Sequence, residues 1–206
     1  PSSEAILMML PCRRLAIRAD VSRKDDVEGM AREVVSELGD IDILINNAGI
    51  TALGSLLETD EATWDSVIDT NLKGCYLCSQ AVGRMMAKRR QGNIISIASE
   101  LGFKSVPARS AYCISKAGVI MLTKVLARDL GGYNIRVNAI APGVFKTALT
   151  ESFFSDPEAM KDSLARQVMG RFANTDDFIG VALFLASDAA SFITGHTIAV
   201  EGGNLT

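Results

Sequence analysis

The chain has 206 residues, 48% hydrophobic and 22% charged, enough for one domain with a substantial core. Its net charge of −3, with both signs mixed along the chain, argues against a nucleic-acid binder, which would carry a basic stripe. No apolar run reads as long enough to span a bilayer, no signal-peptide pattern opens the chain, and four cysteines (Cys12, Cys75, Cys78, Cys113) make no disulfide framework at this length, so a cytoplasmic, reducing setting is expected.

The apolar run Ala5 to Leu10 stops at Pro11 and fits either a buried strand or a helix end; periodicity does not separate the two. Residues 15–19 read as a short strand ending at Asp20. A helix is predicted over 24–38, with Val27, Met30, Val34 and Leu38 on one face and Gly39 closing it. Ile41 to Ile45 reads as a strand whose apolar continuity predicts burial on both faces. Asn46-Asn47-Ala48-Gly49 ends it.

Thr59 is expected to cap a long helical region reaching about Arg90, with Asp60 and Glu61 in its first turn. Asn93 to Ala98 reads as a strand, and a helix is predicted from about Ser110 to Leu130, ended by Gly131-Gly132. Ile135 to Ala141 is a further strand, broken by Pro142-Gly143. Asp156-Pro157 opens a helix, with proline at the tolerated first position. Asp176 to Ala186 is an apolar helix, and His196 to Val200 a last strand. Strands alternating with helices from end to end predict an α/β fold, a doubly wound, mostly parallel sheet in a single domain over 1–206. Such sheets bind ligands beyond the carboxyl ends of their strands, where Asp20, Asn47, Ser99 and Pro142-Gly143 fall.

The stretch Ser99 to Lys116 carries a proton-transfer pattern. Tyr112 and Lys116 are four residues apart, neighbours on one helix face, and a returning loop brings the Ser99 hydroxyl within reach of the phenol. A phenol can act as acid or base, an ammonium beside it lowers its pKa, and a hydroxyl can hold a substrate oxygen. One pKa unit is worth about 1.4 kcal/mol, so moving a phenol towards neutrality takes several; an oxidised nicotinamide ring could supply a second cation.

Other residues have plainer readings. Asn46 to Gly49 is adequately explained as a turn, or as a surface that lets backbone approach a flat ligand. Asn71, inside a helix, either points to solvent or marks a kink whose freed carbonyl holds a water. Cys75 and Cys78 form the one Cys-x-x-Cys and read as packing residues, with no metal site. His196 reads as structural. Lys88-Arg89-Arg90 is explained by the helix dipole. Phe145, Phe153 and Phe154 either line a substrate lid or pack.

Taken together, Asn46-Asn47-Ala48-Gly49, Asn71, Ser99, Tyr112-x-x-x-Lys116 and Pro142-Gly143, in this order and spacing, resemble the short-chain dehydrogenase/reductases. The likeness covers about residues 12–203 and includes Asp20-Val21, Asn138 to Gly143, Phe184 to Asp188 and the ending Thr194-Gly195 with Glu201-Gly202-Gly203. It implies a Rossmann-like fold and hydride transfer between NAD or NADP and a carbonyl or secondary alcohol. By position it makes Tyr112 the general acid/base, Lys116 the ribose ligand that lowers its pKa, Ser99 the holder of the carbonyl oxygen, and Asn71 the holder of a water beyond Lys116. Asp20 and Val21 flank the adenine, Asn47, Ala48 and Gly49 the adenosine side, and Pro142, Gly143, Val144 and Thr147 the nicotinamide end. Within the family the 3-oxoacyl-(acyl-carrier-protein) reductases and gluconate 5-dehydrogenase-like sugar dehydrogenases are similar. Many members are tetramers, so a homo-oligomer acting on a small molecule is expected, with no nucleic acid and no membrane partner.

One departure stands out. The family opens with a strand, a Gly-x-x-x-Gly-x-Gly turn and a helix, and the turn's amides hold the cofactor pyrophosphate. No three glycines here have that spacing, so the N-terminal strand–helix–strand is expected to be missing from the sequence. Either further residues precede Pro1 in the working protein, or Ala5 to Leu10 fills part of the gap as a strand, or the chain is a truncated, non-catalytic paralogue. The retained Ser99, Tyr112 and Lys116 favour an active enzyme.

Overall fold

The computed structural model describes residues 14–206; Ala5 to Leu10 and Cys12 lie outside them. Four strands form one parallel sheet in the order β1 (Ile43–Asn46), β2 (Gly92–Ile97), β3 (Ile135–Pro142), β4 (Thr197–Val200). Helices make every crossover, as parallel pairing requires. Helix α1 (Lys24–Leu38) precedes β1. Helices α2 (Glu61–Ile68) and α3 (Gly74–Arg89), joined by a π turn (Asp69–Lys73), lead to β2, and α4 (Ser110–Leu130) leads to β3. The short α5 (Glu151–Phe154) and α6 (Pro157–Leu164), then α7 (Asp176–Ala186), lead to β4.

The sheet is covered on both faces. On one, Ala31 of α1, Val82 and Met86 of α3 and Ala127 of α4 pack on Ile94, Ile135 and Val137. On the other, Leu185 of α7 packs with Ala190 on Ile95 and Ile140. Adjacent β2 residues Ile94 and Ile95 thus serve opposite layers, the period of two that a strand imposes. Buried Asn138 ties β3 to the approach of β4: its Nδ2 donates to the Ile193 carbonyl at 2.8 Å and its Oδ1 accepts from the His196 amide at 3.1 Å. Cys75, Cys78 and Cys113 are buried, as packing residues should be, and burial raises the Cys75 and Cys78 thiols, Cys78 to about 11.

Four expectations need correction. Residues 15–19 form no strand; they run as coil with Leu15 exposed, since no described strand pairs with them. β1 is not buried on both faces: Ile43 is 42% and Ile45 52% exposed, and, being two apart, they share one face that is left open among the described residues. The cap of α2 is Asp60, whose carboxylate accepts from the Thr63 amide at 2.7 Å, while the Thr59 hydroxyl donates back to the Ser55 carbonyl. Finally, Ser110–Tyr133 is long and apolar enough to cross a bilayer by length and composition; it is the core helix of this fold, its inner stripe (Cys113, Lys116, Ile120, Thr123, Ala127) packed inward.

Candidate active site

β2 ends at Ile97, and Ser99 follows in extended conformation, buried, capping a single 3-10 turn by accepting the Leu101 amide at 3.1 Å. That turn sits hard against α4. A Cβ on Gly102 would stand 2.9 Å from the Lys116 carbonyl oxygen and 2.7 Å from Ile120 Cδ1, so only glycine permits this approach. The result brings Ser99 and Tyr112 together on one cavity wall.

Burial raises the Tyr112 phenol above its ordinary value. The polar Ser99 hydroxyl opposes this, followed by the positive charge of Arg109. Lys116 was expected to supply that charge. Its Nζ instead donates to the Ile97 carbonyl at 2.7 Å and lies 5.7 Å from the centroid of the Tyr112 ring. Burial lowers Lys116 itself to about 8.

Asn71 sits in the π turn, where the Gly74 amide reaches back to the Asp69 carbonyl and widens the helix by one residue. Its side chain is buried and fully engaged. Oδ1 accepts from the Ile50 amide at 2.8 Å, and Nδ2 donates to the Ile50 carbonyl and to Ser115 Oγ, both at 2.9 Å. Ser115 Oγ in turn donates to the Tyr112 carbonyl at 2.7 Å. Asn71 therefore pins the loop after β1 to the helix that carries Tyr112.

Three adjoining cavities run past the strand ends. One of about 250 Å³ is lined by Gly49, Ser99, Tyr112, Lys116, Pro142 and Thr147. A second, of about 390 Å³, shares Ser99, Tyr112 and Gly143 with it and extends towards α6. A third, of about 200 Å³, is lined by Val21, Asn47, Ala48 and Asn71 among others. Of the residues singled out from sequence, Val144 faces the 390 Å³ cavity rather than the one beside Lys116. Asp20 is exposed, its carboxyl held below the usual range by the hydroxyl and amide of Ser22. Val21 packs on α3, where a Cβ on Gly74 would stand 2.8 Å from its Cγ2. Phe153, Phe154 and Phe172 stack edge to face, and Phe153 also lines the large cavity.

Sequence reasoning missed Arg109 and Glu100. Buried Glu100 pairs with Lys104 at 3.2 Å and accepts from Asn204 Nδ2 at 2.8 Å, and burial raises its pKa. Its pairing with Asn204 joins residues far apart in the chain, so no local pattern announces it. Arg109 had a signal, its place three residues before Tyr112, but nothing in the spacing separates it from a surface arginine.

The implied nucleotide can be tested against these walls. Lys116 has three donors and spends one on Ile97, leaving the others for sugar hydroxyls beside the 250 Å³ cavity. Gly49 keeps that wall flat; a Cβ there would stand 3.4 Å from Asn71 Oδ1 and 3.5 Å from Lys116 Nζ. The residues fit the ribose and nicotinamide half. No glycine turn for the pyrophosphate lies among the described residues, so the fit goes no further.

A sequence model of the family described as enoyl-(acyl carrier protein) reductase matches residues 3–204. The chain is 44% identical over 189 residues to a 3-oxoacyl-(acyl-carrier-protein) reductase of Staphylococcus epidermidis, covering 91% of this chain and 76% of that one. It is 43% identical over 185 residues to its namesake from Thermotoga maritima, covering 89% and 74%. A solved structure described as a short-chain alcohol dehydrogenase from Sinorhizobium meliloti superposes with a TM-score of 0.90 at 41% identity, covering 94% of this chain and 77% of that one. A gluconate 5-dehydrogenase from Burkholderia cenocepacia, solved with NADP and tartrate, superposes with a TM-score of 0.88 at 36% identity, covering 90% and 72%. The chain belongs to the short-chain dehydrogenase/reductase family of oxidoreductases.

Proposed function

We propose that this protein interconverts a carbonyl and a secondary alcohol with a nicotinamide dinucleotide, NAD or NADP, and that Tyr112 carries the proton. The observation behind this is the pairing of Ser99 and Tyr112 on the wall shared by two cavities, with buried Lys116 lining the smaller one. The bound nucleotide supplies or accepts the hydride. Ser99 holds the substrate oxygen against the phenol. The Tyr112 phenol gives its proton to that oxygen during reduction, and its phenolate takes one back during oxidation. Lys116 binds the ribose hydroxyls. Asn71 fixes the Ile50 loop and, through Ser115, the Tyr112 backbone. Pro142, Gly143 and Thr147 shape the nicotinamide end of the smaller cavity. NADP as the nucleotide draws support from the gluconate 5-dehydrogenase solved with it.

The substrate class is of the 3-oxoacyl or sugar-acid type, the chemistry in the names of the similar proteins. The working unit is a cytoplasmic homotetramer. In support, α3 and α4 expose Tyr76, Ile114, Met121 and Val125, and Leu183, Phe184 and Phe192 are exposed at a second site. The test is NADPH oxidation followed with an acetoacetyl thioester and with 5-ketogluconate. Turnover of either that vanishes in Tyr112→Phe supports the reading; turnover undiminished in that variant contradicts it.

A further inference from the structure

The 390 Å³ cavity on the substrate side of Tyr112 carries five charged side chains: Lys104, Arg109 and Arg166 against Glu100 and Asp162. Lys104 and Glu100 neutralise one another at 3.2 Å. Asp162 on α6 and Arg166 just after it also line the wall, and neither forms an ion pair among the described residues. Arg109 stands apart from these. Its Nη1 donates to the neutral Thr51 hydroxyl at 2.6 Å, and among the described residues it forms no ion pair. It is half-buried, where Arg166 is exposed, and it shares the cavity wall with Tyr112.

A guanidinium has five donors in a planar fork. One is spent on Thr51, which fixes the fork beside the cavity and leaves the remaining donors for a ligand. An arginine unpaired with protein carboxylate in a partly desolvated wall matches the bidentate geometry of a small carboxylate. Arg109 and Tyr112 line the same cavity, so one small substrate can meet both.

We infer that the substrate is a short oxo acid or its hydroxy acid, its carboxylate bound by Arg109. The inference rests on the reading of Tyr112 as the proton carrier. The carbonyl gains a hydride at carbon and the Tyr112 proton at oxygen, its π bond breaks, and the reduced nucleotide is left oxidised. The acid group takes no part; Arg109 holds and orients it.

The test compares acetoacetate with ethyl acetoacetate, which differ in that one charge, as substrates with NADPH for the full chain, Arg109→Gln and Arg109→Lys. The expected result is a kcat/KM ratio of acid to ester that falls about tenfold or more in Arg109→Gln and is partly kept in Arg109→Lys. A ratio unmoved by Arg109→Gln, or reduction of the ester with no reduction of the acid, overturns the inference while leaving the oxidoreductase reading intact. Succinate titrated by calorimetry reads the anion site without turnover. If neither keto compound is reduced, the oxidoreductase reading fails for these probes. Succinate binding that weakens about tenfold in Arg109→Gln still supports the anion site, and no binding to the unaltered chain overturns it.

Discussion

Ser99 and Tyr112 line one cavity because the glycine at 102 lets the turn after β2 lie against the backbone of Lys116. Removing the Ser99 hydroxyl leaves the phenol in place without that neighbour on the wall. Ser99→Ala is expected to lower kcat about a hundredfold, the scale on which one positioned acid–base group acts, with stability little changed. Steady-state rates and urea unfolding check both halves.

Two glycines in the site respond differently to alanine. Gly102→Ala drives a methyl into the Lys116 carbonyl and is expected to cost about 1–3 kcal/mol and displace Ser99. Gly49→Ala makes only ordinary contacts, 3.4 Å to Asn71 Oδ1, so stability should shift by less than about 0.5 kcal/mol. Its methyl faces the nucleotide wall, so nucleotide affinity should drop about tenfold, roughly the 1.4 kcal/mol of one lost close approach. Chemical denaturation and nucleotide titration separate the two variants.

Lys116 is a destabilising residue at neutral pH. Burial lowers its folded pKa to about 8 from 10.5, so the unfolded chain binds more protons between those values. Stability from this group therefore rises with pH across that window, and the full burial cost applies below it. That cost is about 3 kcal/mol, less about 1 kcal/mol for the hydrogen bond to Ile97. Lys116→Met should stabilise the chain by about 2 kcal/mol at pH 7, with the gain fading towards pH 10.5, while abolishing activity. Urea midpoints at the two pH values decide it; destabilisation at pH 7 contradicts the assignment.

Asn71→Ala strips partners from the Ile50 amide, the Ile50 carbonyl and Ser115. A loss of about 3 kcal/mol is expected from those buried groups. The loop after β1 should loosen, raising the dissociation constant for nucleotide. Asn71→Asp keeps the acceptor for Ile50 but sets a buried carboxylate against the Ile50 carbonyl, so it should lose at least as much. A clearly smaller loss in Asn71→Asp would place the role elsewhere than in the two donated bonds.

The alternation of strands and helices was legible because periodicity and punctuation are local. Gly39, Gly131 and Pro157 all mark helix boundaries where expected. Ser99, Tyr112, Lys116 and Asn71 could be named because they share a recognisable order. The cover over a strand was not legible: the sequence of β1 is as apolar as a central strand, yet Ile43 and Ile45 are exposed on one face, since cover is decided by distant residues. Electrostatics were only partly legible. Helical spacing and the family likeness put Lys116 beside Tyr112, and its ammonium lies 5.7 Å from the ring centroid while donating to the Ile97 carbonyl on β2. The charge opposing burial comes from Arg109, whose side chain is aimed by Thr51 from another loop.

The central claim is that Tyr112 moves the proton. Its most direct measurement is single-turnover NADPH oxidation by Tyr112→Phe alongside nucleotide binding by the same variant. The account predicts a rate lower by about 10³-fold or more with affinity nearly unchanged. Full turnover in the phenylalanine variant would contradict it.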